Sequence, residues 1–130
     1  MIGYATVGTN DIDRARIYYD ALFGSVGAKR LMEFPENGFT MYGTDWRRPA
    51  VAITRPYNKG AATAGNGAMV ALVMDARDKV DAFYAKALEL GGSDEGAPGV
   101  RGPAGDNEFY GAYFRDPDGN KFCVFRTGPA

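Results

Sequence analysis

The chain has 130 residues, 45% of them hydrophobic and 24% charged, with a formal net charge of -1. That composition fits one soluble domain able to bury roughly two thirds of its unfolded surface, and its charge balance offers no basic field for nucleic acid. Its single cysteine cannot bridge internally, no apolar run nears the roughly 20 residues of a membrane span, and the start lacks the pattern of a secretory signal, so a reducing cytoplasm is the expected setting.

Histidine is missing altogether. Histidine is the commonest metal-ligating side chain and the one that titrates near neutrality, so histidine-containing zinc sites, two-histidine facial triads and Ser-His pairs are excluded. Acid-base chemistry would have to use Asp, Glu, Lys, Tyr or Cys.

In chain order, "IGYATVG" alternates as a strand over about 2 to 7 and runs into "TNDIDRARIYYDALFG", which starts on cap residues and ends on glycine. There Ala15, Tyr18, Tyr19, Leu22 and Phe23 make one helical face within a helix expected over 11 to 23. Asp11 and Asp13 read as capping and first-turn charges. Strands follow near 28 to 34, 38 to 43 and 50 to 54. Arg47 and Arg48 solvate a hairpin tip, and "RPYNKGAATAGNG" is a surface connection over about 56 to 66. The second half repeats the order: strand 68 to 74, helix 77 to 90, then strands 98 to 101, 109 to 115 and 121 to 126.

The halves also match residue by residue. An offset of 65 carries Ala15, Tyr18, Tyr19, Leu22 and Phe23 onto Val80, Phe83, Tyr84, Ala87 and Leu88, and Tyr4 onto Met69. Beyond a longer glycine-rich loop the offset becomes 71, matching Phe39 and Tyr42 to Tyr110 and Tyr113, Asp45 to Asp116, and Ala52 to Cys123. The chain thus reads as two copies of strand, helix, strand, strand, strand. Each sheet has one face for its helix and one left free.

This pattern resembles the vicinal oxygen chelate superfamily, the glyoxalase, bleomycin-resistance and extradiol dioxygenase group. "VGTNDIDRARIYYDALFG" is similar to its first strand-helix signature, "GNGAMVALVMDARDKVDAFYAKALELGG" to its second, and "YGAYFRDPDGNKFCVF" to its closing hairpin. The resemblance implies one glyoxalase-like α+β domain over 1 to 130, with tandem βαβββ modules of about 1 to 55 and 67 to 130 forming a cup-shaped mixed sheet. It also implies ligand contacts at Tyr4, Ala52, Met69 and Cys123, where metal-dependent members carry their ligands on the first and fourth strands, with Tyr110 and Tyr113 added from the aromatic hairpin. Because members of the resembled family commonly pair, with sheets extending or cups closing across the interface, a homodimer is expected.

A phenol, a methyl, a thioether and a thiol do not replace imidazoles and a carboxylate around a hard or borderline ion. No metal and no other cofactor is therefore expected. Cys123 reads as a cup-lining residue rather than a nucleophile, since no histidine can activate it. Tyr4 reads as a ligand contact, a general acid or packing, and Met69 as an apolar wall. "RDPDGNK" reads as a turn rather than a calcium loop. "GAPGVRGPAGDNE" offers amides and Arg101 to an anion, with a flexible connection as the plainer reading. The expected function is metal-free binding of a small apolar or aromatic molecule. The alternatives are a divergent lyase or glutathione-dependent enzyme, and a structural or interaction domain whose cup is self-filled.

Overall fold

Both stripes at helical spacing fold as helices in the computed structural model, which describes residues 1–130. The elements are β1 (Tyr4–Gly8), α1 (Ile12–Gly24), β2 (Lys29–Phe34), β3 (Phe39–Gly43), β4 (Ala50–Thr54), β5 (Val70–Val73), α2 (Arg77–Glu89), β6 (Ser93–Arg101), β7 (Phe109–Arg115) and β8 (Lys121–Thr127). They form an α+β fold of two βαβββ modules. The sheet orders are β1-β4-β3-β2 and β5-β8-β7-β6, with β1 parallel to β4 and β5 parallel to β8. One unit comprises Met1–Asn66 with Asp118–Asn120, the other Gly67–Pro117 with Lys121–Ala130.

In the first unit Tyr19 and Phe23 of α1 pack on Tyr42, with ring centroids 6.2 and 5.4 Å apart. Because Tyr42 pairs with Val51 and Thr40 with Ile53, these four side chains share the helix side. In the second unit Phe83 of α2 meets Phe114 at 6.0 Å, and Phe114 stacks on Phe122 at 5.4 Å and 7°. Ala112 and Val124, paired one step along, continue that side. All of these are buried.

The register corrects one part of the internal match. Ala52 pairs with Met41 and Cys123 with Tyr113, so Met41 corresponds to Tyr113 and Tyr42 to Phe114, an offset of 72 (113 − 41) rather than 71. The tip between β7 and β8 is one residue shorter than its counterpart. A slip of one residue turns a strand over, so Phe39 and Tyr110, matched at 71, lie on opposite kinds of face. The offset of 65 between β1 and β5 holds, because Thr6 pairs with Ala52 as Ala71 pairs with Cys123.

The second difference is β6. It begins at Ser93, five residues before the expected strand, and runs through Gly96, Pro98 and Gly99. Its pairing with β7 shifts between Asp94 and Gly96 and again between Gly96 and Gly99. An edge strand has one unpaired side, which accommodates proline, and bulges absorb the glycines.

Residues 118–120 follow the aspartate-proline start of the "DPDGN" turn, and Gly119 takes φ +91° there. Asp118 accepts the Thr9 hydroxyl at 2.6 Å, the Asn10 amide at 3.0 Å and an Arg14 guanidinium nitrogen at 3.0 Å, while the Asn120 amide donates to the Gly8 carbonyl at 2.8 Å. Together with Asp11, which caps α1 by accepting the Arg14 amide at 3.1 Å, they satisfy the polar groups where β1 leads into α1. The Asp118 side chain is only 5% exposed. Asp118→Ala is expected to cost about 2 kcal/mol, because it strips a charged acceptor from the buried Thr9 hydroxyl and from two further donors at the corner. Urea unfolding would check this, and a change within about 0.5 kcal/mol, the size of an ordinary surface effect, would remove the turn from the unit's stability.

Candidate functional site

With the helices on one side, the register defines what lies on the other. On the first sheet the helix-free face carries Tyr4 and Thr6 from β1, Ala50 and Ala52 from β4, Phe39 and Met41 from β3, and Met32 and Phe34 from β2. Tyr4 sets the edge of its ring on Phe39 at 5.8 Å and 79°, and Phe34 tilts against Phe39 at 5.7 Å. Tyr4 and Phe34 are each 54% exposed, whereas Ala52 is fully covered, within a small cluster of Met41 and Ala50 flanked by Leu31, Met32 and Phe39.

On the second sheet the helix-free face carries Ala71 and Val73, then Lys121, Cys123 and Phe125, then Phe109, Gly111 and Tyr113, and Arg101 at the β6 edge. Met69 immediately precedes β5 and is exposed, as is Val73. Phe109 and Phe125 stack at 5.1 Å and 11°. A Cβ on Gly111 would stand 2.5 Å from the Phe109 ring, so the missing side chain is what lets that ring lie across the strand. The Arg101 guanidinium lies over the Tyr113 ring, 5.7 Å from its centroid, and the Lys121 ammonium lies 5.5 Å from the same centroid.

The structure therefore puts Tyr4 and Ala52 on one helix-free face, and Cys123 and Tyr113 on the other, where Met69 adjoins the edge strand. Tyr110 is elsewhere. It is on the helix side of its sheet, its hydroxyl 2.6 Å from an Asp81 carboxylate oxygen and its ring under Arg77 at 4.9 Å. Ala52 and Cys123 sit beneath their surfaces, at 0% and 1% exposure. Burial pushes the Cys123 thiol up, and the Tyr113 phenol and the charges of Arg101 and Lys121 offset only part of that rise. It is thus held as the neutral thiol at neutral pH, a poor nucleophile.

A family-type ion does not fit these positions. They present a phenol, a methyl, a thioether and a protonated thiol, and nowhere in the chain do three His, Cys, Asp or Glu side chains come together as a possible ion site. The sequence reading missed Phe34, Val73, Phe109, Phe125 and Lys121. For Phe125 and Lys121 the signal was there, since each stands two residues from Cys123 and so shares its face.

Paired βαβββ units with one helix-covered and one apolar open face define a class of small α+β proteins built by duplication. The chain belongs to the glyoxalase/bleomycin resistance protein/dioxygenase superfamily, whose family model matches residues 1–124. A glyoxalase/bleomycin resistance protein of Albidiferax ferrireducens T118 is 33% identical, with a TM-score of 0.82 over 97% of this chain and 98% of that one. A glyoxalase-related enzyme from Fulvimarina pelagi aligns at 19% identity and a TM-score of 0.71, covering 97% of this chain and 87% of that one. A lactoylglutathione lyase from Agrobacterium tumefaciens aligns at 18% identity and a TM-score of 0.66, covering 97% and 92% respectively. No curated protein matches the chain. No helix is long and apolar enough to cross a membrane.

Proposed function

We propose that this chain is a metal-independent binding protein for a small apolar or aromatic molecule, received on the helix-free sheet faces. The observation that carries this reading is the exposure there of Tyr4 and Phe34 at 54%, Met69 at 46% and Val73 at 70%, around aromatic pairs already set by their neighbours. Large apolar side chains left in water on a sheet face are costly and mark a place that something covers. Membership in a superfamily that includes bleomycin-resistance proteins supports the reading, and so does the poor match of the donor set to an ion.

Elemental analysis and native mass spectrometry of the purified protein test it directly. Stoichiometric zinc, nickel or iron, with a chelator-induced fall in melting temperature, would sink it. A fluorescent probe tests the face itself. The uncharged N-phenyl-1-naphthylamine is expected to bind saturably, and Met69→Glu to weaken that binding tenfold or more by setting a carboxylate on the apolar surface. Stability should change by no more than about 0.5 kcal/mol, as for an exposed position.

A further inference from the structure

The open face of the second sheet is not uniformly apolar. Arg101 and Lys121 both stand over Tyr113, and neither makes an ion pair. The cation nearest along the strands, Arg115, is neutralised by Glu95. Arg101 is held in place by its backbone surroundings. Its guanidinium donates to the Ala97 carbonyl at 2.6 Å, and a Cβ on Gly96 or Gly99 would approach its terminal nitrogens to 3.3 and 3.0 Å. Two glycines thus leave room for the arginine to lie flat along the sheet towards the aromatic ring. A guanidinium with one nitrogen committed and the rest of its fork free is suited to a planar or tetrahedral anion.

From this arrangement, and resting on the binding reading above, we infer that Arg101 and Lys121 form an anion subsite beside the Phe109–Phe125 stack, so that the ligand is an aromatic or apolar molecule bearing one acidic group. The stack receives the ring system and the two cations receive the carboxylate, sulfonate or phenolate. Desolvating two like charges on an apolar face is unfavourable without a counter-charge, and an anionic ligand removes that cost when it binds. Both cations stand over Tyr113, which pairs across the strands with Cys123, so their field falls at the centre of this face.

Two probes that differ by one sulfonate separate this inference from the reading beneath it. N-phenyl-1-naphthylamine is the neutral member, and 8-anilino-1-naphthalenesulfonate is the same skeleton with the anion. The sulfonate is expected to bind at least tenfold more tightly. Arg101→Gln and Lys121→Gln should each weaken it about tenfold, the usual scale for one charge-assisted contact, and leave the neutral probe unchanged. Arg47→Gln, whose side chain is 93% exposed at a hairpin tip, should alter neither. Near-UV circular dichroism establishes that each variant is folded. Equal affinity for the two probes, or a ratio that neither Gln variant moves, overturns the anion subsite and leaves the apolar reading standing. Failure of both probes to saturate overturns both, and a dimer in sedimentation that Arg101→Glu dissociates would then assign this face to a second copy of the chain.

Discussion

Phe114→Ala is expected to destabilise the protein by about 4 kcal/mol, within the range for emptying a buried aromatic site. Phe114 has no exposed surface, lies nearly parallel to Phe122 at 5.4 Å and touches Phe83 of α2 at 6.0 Å. Deleting its ring would leave a void where Phe83 of α2 packs on the sheet of the second unit, and the flanking Ala112 is too small to fill it. The control is its neighbour Tyr113, which is half-buried on the opposite face, where water can take the space left by the ring. Urea unfolding of both variants measures the difference. A loss under about 2 kcal/mol for Phe114→Ala would show that the helix side is not the main core, against what large-to-small core substitutions normally cost.

Ala52→Glu should be at least as damaging, at roughly 4 kcal/mol or more, a size reserved for changes such as an unpaired buried charge. It would put a carboxylate at the β4 position where the resemblance to metal-dependent members implies a ligand. Ala52 is fully covered and lies under Met41, Met32 and Phe39, with Thr6 beside it on the parallel strand, so a carboxylate has no cation to meet and no route to water. Ala71, the residue matching Thr6 in the second unit and paired with Cys123, is exposed. Ala71→Glu should be near neutral. Thermal unfolding of the two variants gives the contrast, and equal melting temperatures would show that the cover over Ala52 opens readily.

The helices and the duplication were legible because Tyr18, Leu22 and their counterparts Phe83 and Ala87 repeat at 3.6-residue spacing, and all four are buried. The faces of the hairpin strands were harder. Tyr110 and Tyr113 stand three residues apart, an odd spacing that sends them to opposite sides of a regular strand, yet both are aromatic and neither side is marked by polarity. What separates them is the Asp81 and Arg77 pair reaching down from α2 to Tyr110, a contact between residues 29 positions apart in the first case. The start of β6 was hidden for another reason. Glycine and proline signal a loop locally, and only the ladder to β7 shows that an edge strand absorbs them.

The turn at residues 118–120 also bears on how the protein is made. Thr9, Asn10 and Arg14 leave the ribosome more than a hundred residues before the carboxylate they require. Synthesis proceeds at about 5 to 20 residues per second, so for several seconds the first unit exists with its strand-to-helix corner unclasped. The amino-terminal half can collapse in that interval, but its completion waits on the translation of the other half. A genetic split at the boundary between residues 66 and 67 would therefore yield a first fragment that lacks part of its own structure, and adding the second fragment in trans should restore it.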